Sequence, residues 1–279
     1  MNPLITVETL DAALMGGAPP VLLDVRWALG DSAGHQHYLD AHIPGAVFVD
    51  LDTELAAPAE PALGRHPLPA VEDLQSAARR WGVRDGSSVV VYDDTGNLAA
   101  ARAWWLLRWA GVAGVTMLDG GLGAWIAAGH HTESGEHTPD VPGNVVLMGG
   151  HLPTLTADDA AALARGGVLL DARAAERYSG ETEPVDPRAG HIPGARSAPT
   201  TENLGSDRRF VPVSELGAHY TALGIAPGTP VGVYCGSGVN AAHQIAALAL
   251  AGVDAALYPG SWSQWSSDPQ RAVATGSNP

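Results

Sequence analysis

The chain has 279 residues, 46% apolar and 16% charged, enough to bury the core of one large domain or two ordinary ones and too apolar for disorder. Its formal charge of −15 sets 30 acids against 15 arginines with no lysine, which excludes a basic nucleic-acid face, a Schiff-base lysine and a Walker-type phosphate loop. A single cysteine excludes an internal disulfide framework and any multi-thiolate zinc or iron–sulfur centre, and a lone thiol suits a reducing compartment.

The opening "MNPLITVETLDAALMGG" lacks a basic segment followed by an apolar one, so no secretory leader is expected. "ITVETLDAALMGGAPPVLLDVR" follows, in which "VLLD" is a short apolar run of the kind found in parallel strands buried on both faces. "HIPGA" stands at 42–46, "AVEDLQSAARRWG" is helical, and "VVVYDDTGNLAAARAWW" opens on a second buried strand. The tryptophans of "RAWWLLRW" are expected to fill core and interface; "AWWLLRWAGVAGV" is short and carries Arg108, so no membrane span is expected. After "LDGGLGAW", the polar "HHTESGEHTPDVPGN" reads as a linker, with a boundary near residue 145.

The same order then returns. "LTADDAAALARGGVLLDAR" opens with a capping-box-like pair, Thr156 and Asp159. "HIPGA" recurs at 191–195, "SELGAHYTALG" is helical, and "VGVYCGSGVNAAHQIAA" and "YPGSWSQW" echo their earlier counterparts. Four matches in register mark a tandem duplication, 1–145 and 146–279. Alternating strands and helices predict two α/β domains, each a doubly wound, mainly parallel sheet with helices on both faces. The charge is uneven: residues 1–146 hold 18 acids against 7 arginines, and residues 147–279 hold 12 against 8. The second half is the less repulsive one for an anion.

Cys235 directly follows the strand "VGVY", at the sheet edge where ligands bind in open parallel sheets. Gly236 and Gly238 let several N–H groups turn inward, and the helix starting near Val239 or Asn240 adds its positive end. Such a cradle suits a thiolate nucleophile rather than a buried filler. Ser237 adds a hydroxyl. The matching residue of the first half is Asp93, which leaves one catalytic and one supporting copy.

The paired "HIPGA" boxes, "DVR" and "DAR", "RYSGETEPVDPR", "CGSGVNA" and "GSWSQW" resemble the two-domain rhodanese family over essentially the whole chain. The resemblance implies a sulfurtransferase: a thiolate takes a sulfane sulfur, becomes a persulfide and passes the outer sulfur to a thiol, thioredoxin or cyanide. Members with C-G-S-G loops use 3-mercaptopyruvate and those with basic loops use thiosulfate; the latter donor stays the alternative, ahead of a non-catalytic regulatory module. By resemblance Arg177 and Arg188 grip the donor carboxylate, and Gly236, Gly238, Val239 and Asn240 form the loop, Asn240 standing where the family shows Thr. A proton relay through Ser237 is implied, with His42 and Asp31 supplied by the first half and Asp40 competing with Asp31. Asp171 and Arg173 are expected to brace the loop. No cofactor is implied, and the histidines of "HQH" (35–37) and "HH" (130–131) read as solvent-exposed rather than metal-binding. Position 241 is Ala, where a phosphatase of related fold would need Arg. The expectation is a cytoplasmic enzyme acting on a small molecule, without nucleic-acid or membrane partners.

Overall fold

The computed structural model describes residues 2–279, which divide into two compact units. One comprises the chain to Ala57, Pro69–His151 and Ser206–Arg209; the other comprises Pro58–Leu68, Leu152–Gly205 and Phe210–Pro279. The division falls at 151/152 rather than near 145 because the N–H groups of Met148 and His151 donate to Ala110 and Trp109. Residues 58–68 belong to the second unit: the Arg65 N–H donates to Ser263 Oγ at 3.0 Å and Gln264 Nε2 donates to Ala62 O at 2.6 Å.

In the first unit, β1 (Leu4–Ile5), β2 (Val21–Asp24), β3 (Val47–Phe48), β4 (Val89–Tyr92) and β5 (Val115–Leu118) form a sheet in the order β1-β5-β4-β2-β3, every pair parallel. Its helices are α1 (Val7–Leu14), α2 (Gly34–Asp40), α3 (Leu51–Glu54), α4 (Val71–Arg80), α5 (Ala100–Trp109) and α6 (Gly121–Ala127). Leu22, Val90, Tyr92 and Leu118 meet Val7 and Leu10 of α1 and Leu122 and Trp125 of α6. The alternate residues Leu23, Val89 and Val91 are equally buried, and α5 packs on β4 and β5. Cover on both faces is why these strands read as unbroken apolar runs.

The second unit repeats the plan with β6 (Val168–Asp171), β7 (Arg196–Ser197), β8 (Val231–Tyr234) and β9 (Ala256–Leu257), parallel in the order β7-β6-β8-β9. The β1 position is reduced to a bridge between Thr154 and Leu257. Helices α7 (Ala157–Gly166), α8 (Ala175–Ser179), α9 (Val213–Ala222), α10 (Val239–Leu250) and α11 (Ser261–Ser267) complete it. Ala157 and Ala160 of α7 and Trp262 and Trp265 of α11 close over Leu169 and Tyr234. Trp262 is fully buried, which contributes on the order of 3 kcal/mol. The expected capping box forms: Asp159 N–H donates to Thr156 Oγ1, and Thr156 N–H to Asp159 Oδ2.

Each "HIPGA" box is fastened to its sheet in the same way. Arg26 forks onto Asp24 (2.7 and 3.0 Å) and donates to Ala41 O, just before the first box. Arg173 forks onto Asp171 (3.0 and 2.6 Å) and donates to Gly190 O, just before the second. Tyr92 Oη accepts from Ile43 N–H, and Tyr234 Oη from Ile192 N–H. Arg173 also lies over the Trp262 ring, 4.6 Å from its centroid. Arg173→Ala leaves a buried, uncompensated Asp171 carboxylate, so a loss of about 3–5 kcal/mol is expected in urea unfolding. A loss below ~1 kcal/mol would deny the pair its bracing role.

Candidate active site

The chain leaves β8 at Tyr234 and turns through Cys235–Gly238 into α10. Gly238 caps that helix at φ 81°, a conformation that disfavours any residue with a Cβ. The carbonyls of Cys235 and Gly236 are drawn outward by the N–H groups of Trp262 and Ser263, each at 2.9 Å. Cys235 N–H donates to Ser261 Oγ (3.2 Å), and that hydroxyl donates to Tyr258 O (2.9 Å). Ser261 itself sits at φ 54°, where its repeat counterpart is Gly121 at φ 56°. Its two side-chain bonds offset the strain of a left-handed non-glycine residue. Inside the turn, Gly238 N–H points at Cys235 Sγ at 3.2 Å, and the cysteine is only 3% exposed.

The first copy reveals what this turn holds. Asp93 stands at the cysteine's position, and its buried carboxylate accepts from the N–H groups of Thr95, Asn97, Ala99 and Ala100 at 2.7–3.1 Å. Burial pushes the Asp93 carboxyl up, against these N–H groups, which pull it down. In the first copy the turn after the central strand is therefore an anion cradle, filled from within.

Ser237 is buried, and its hydroxyl lies 2.7 Å from His66 Nδ1. Within the second unit, the imidazole that meets Ser237 is His66. His42 donates from Nδ1 to Tyr38 O at 2.9 Å and stacks on the Tyr38 ring. His191 does the same with Tyr178 in the other copy. Bonds repeated in both copies, only one of which has a thiol, fit a fastener of the turn. Asp31 is exposed, accepts from Ala33 N–H and pairs with His37 at 3.6 Å. Asp40 accepts from Gln36 Nε2.

Two guanidinium groups stand over the turn. Arg65 Nη2 lies 2.8 Å, and Arg177 Nη1 3.6 Å, from the point a Cβ on Gly236 would occupy, so glycine is what lets them approach. Arg65 Nη1 pairs with Asp186 Oδ1, while Arg177 Nη2 contacts Glu183 Oε1 (2.6 Å) and Asp186 Oδ2 (3.1 Å). The Nε–H groups of both arginines are buried without a partner among the described residues. Arg188, expected as half of a carboxylate clamp, is elsewhere. It donates to the carbonyls of Ser266, Trp265, Asp268 and Arg271, tying off the end of α11. Its fork is committed to these carbonyls, and the guanidinium beside Arg177 at Gly236 is that of Arg65. Val239 is buried at the start of α10, and Asn240 is half-buried.

His66, Arg65 and Asp186 are site residues that the motifs do not disclose. The first two lie in "GRHPLP" and Asp186 in "VDP", both outside the repeated boxes.

The model of the Rhodanese family, described as a rhodanese-like domain, matches residues 6–128 and 156–268. A Mycobacterium tuberculosis protein named "Putative thiosulfate sulfurtransferase SseB" is 50% identical over 279 residues, covering 98% of this chain and 97% of its own. A Pseudomonas aeruginosa protein named "Probable 3-mercaptopyruvate sulfurtransferase" is 48% identical over 284 residues, covering 98% of each. Among solved structures, SseA from Escherichia coli, described as a 3-mercaptopyruvate sulfotransferase of "Rhodanese" fold, superposes with a TM-score of 0.83 at 32% identity, covering 94% of this chain and 99% of its own.

Proposed function

Because the chain belongs to the rhodanese family, we propose that it is a sulfurtransferase that takes sulfur from 3-mercaptopyruvate and carries it as a persulfide on Cys235. The observation that carries this is the one thiol of the chain, set in an anion cradle beneath Arg65 and Arg177, with a hydroxyl–imidazole pair two residues on. The cysteine thiolate attacks the donor sulfur, an S–S bond forms, and the C–S bond breaks. Its electron pair leaves as the pyruvate enolate, which takes a proton on carbon. Ser237, whose hydroxyl lies 2.7 Å from His66 Nδ1, handles that proton in this reading. An acceptor thiolate or cyanide then attacks the outer sulfur and restores the Cys235 thiolate. A small thiol or thioredoxin is the acceptor suited to the reducing, cytoplasmic setting proposed here. Among the described residues no helix is long and apolar enough to cross a membrane.

The loop "CGSG" adds no cation of its own, which favours a donor with one carboxylate over dianionic thiosulfate. The name of the M. tuberculosis relative favours a second reading, thiosulfate as the donor. Steady-state kcat/KM with both donors and one acceptor decides between them: a higher value for 3-mercaptopyruvate is expected, and a higher value for thiosulfate would reverse the assignment.

Arg177→Ala tests the donor grip. Losing a charge-assisted contact is expected to lower kcat/KM for 3-mercaptopyruvate about 10- to 100-fold. An unchanged value would remove Arg177 from the donor site.

A further inference from the structure

The arginines above the cradle are not free charges. Arg65 and Arg177 share Asp186, whose side chain is only 3% exposed. Arg177 and Arg173 share Glu183 (2.6 and 3.2 Å), and Arg173 holds Asp171. Three guanidiniums thus face three carboxylates. Two of those carboxylates have duties elsewhere: Asp171 and Glu183 are bound by Arg173, which fastens the second "HIPGA" box. Among the described residues, the Asp186 carboxylate is hydrogen-bonded to no side chain besides the two arginines over Gly236.

Its position is built rather than incidental. The N–H groups of Val185 and Asp186 both donate to Glu183 Oε1 at 3.1 Å, folding "ETEPVDP" so that the Asp186 carboxylate returns between the two guanidiniums. Arg65 and Asp186 also line a cleft of about 250 Å³ with Glu60, Gly64, Val185, Pro187 and Ser263. Burial pushes the Asp186 carboxyl up, Arg65 and Arg177 oppose this, and Glu183 adds to it. A carboxylate kept here at that cost, facing the groups that should receive an anionic donor, lowers the charge of their site by one unit.

Resting on the sulfurtransferase assignment above, we infer that Asp186 is the donor-charge selector: by part-neutralising Arg65 and Arg177, it matches the site to a donor with a single carboxylate and disfavours a dianion. The residue acts through the two arginines and is a specificity-determining, positioning group rather than a catalytic one. Arg65 supplies the additional cation that makes such a counterbalance necessary.

The test is Asp186→Asn, near-isosteric and one negative charge short, beside Asp186→Glu, which retains the charge. In the first arm, kcat/KM is measured with thiosulfate and with 3-mercaptopyruvate. The ratio of thiosulfate to 3-mercaptopyruvate is expected to rise about tenfold in Asp186→Asn, the effect of one unit charge in a partly hydrated site, and to return toward wild type in Asp186→Glu. The second arm needs no turnover: Cys235 is alkylated with neutral iodoacetamide in the presence of sulfate or pyruvate, and protection constants are read. Protection by sulfate is expected to tighten about tenfold more than protection by pyruvate in Asp186→Asn. A shifted protection ratio in a protein that turns over neither donor would sustain the selector and reject the sulfurtransferase assignment. An unshifted protection ratio overturns the selector, whether or not the enzyme is active.

Discussion

Cys235→Ser is expected to fold as the wild type does and to transfer no sulfur from either donor. The hydroxyl occupies nearly the same volume and can accept the Gly238 N–H that now points at Sγ, so the melting temperature should move little. The chemistry is another matter. An alcohol is a poor nucleophile at neutral pH and cannot carry a persulfide, and the chain contains no second thiol to take over. Turnover with 3-mercaptopyruvate and with thiosulfate is therefore expected to fall to background, with no sulfur added in intact-mass spectra. Activity above background in a folded variant would refute covalent transfer through this residue.

The next largest effect is expected at the hydroxyl–imidazole pair, and it depends on the donor. Ser237 Oγ and His66 Nδ1 lie 2.7 Å apart and both residues are buried, so the contact is not a chance surface one. Cleavage of the C–S bond of 3-mercaptopyruvate generates an enolate that needs a proton, and a positioned acid typically contributes about 10²–10⁴-fold. Ser237→Ala and His66→Ala are expected to lose that much in kcat with 3-mercaptopyruvate. Thiosulfate departs as sulfite, which is stable as an anion, so the loss with that donor is expected to stay below about tenfold. Equal losses with both donors would assign the pair to holding the turn rather than to proton transfer. His42→Ala separates the two histidines: because His42 fastens Tyr38 and its own turn, the effect should appear as lowered stability of the first unit.

Much of this architecture is legible in the chain because duplication writes it twice. Strands covered on both faces must be apolar at every position, so "VLLD" and "VVVY" stand out, and the Thr156–Asp159 pair announces the start of α7. The candidate nucleophile is legible for the same reason: Cys235 ends a strand at the place where, in the other copy, Asp93 accepts N–H groups of the following turn. The remaining site residues are not, and the causes are physical. A histidine in a turn motif reads alike whether its ring serves a substrate or the carbonyl of Tyr38, the bond His42 makes and His191 repeats with Tyr178. Arg188 looks like an anion ligand until the carbonyls ending α11, some 77 to 83 residues further along, are seen to occupy its fork. Arg65 and His66 fall in a segment assigned by order to the first half, yet packing through Ser263 and Gln264 places them in the second unit. Pairings that span so many residues leave no periodic trace.

The most direct test is a single turnover without acceptor. Purified protein is mixed with an equimolar amount of 3-mercaptopyruvate, and released pyruvate and intact protein mass are measured together. The expected result is one pyruvate per chain and one added sulfur, mapped to Cys235 and removed on addition of a thiol or cyanide. Pyruvate release without sulfur on the protein, or sulfur loading from thiosulfate but not from 3-mercaptopyruvate, would contradict a Cys235 persulfide drawn from that donor.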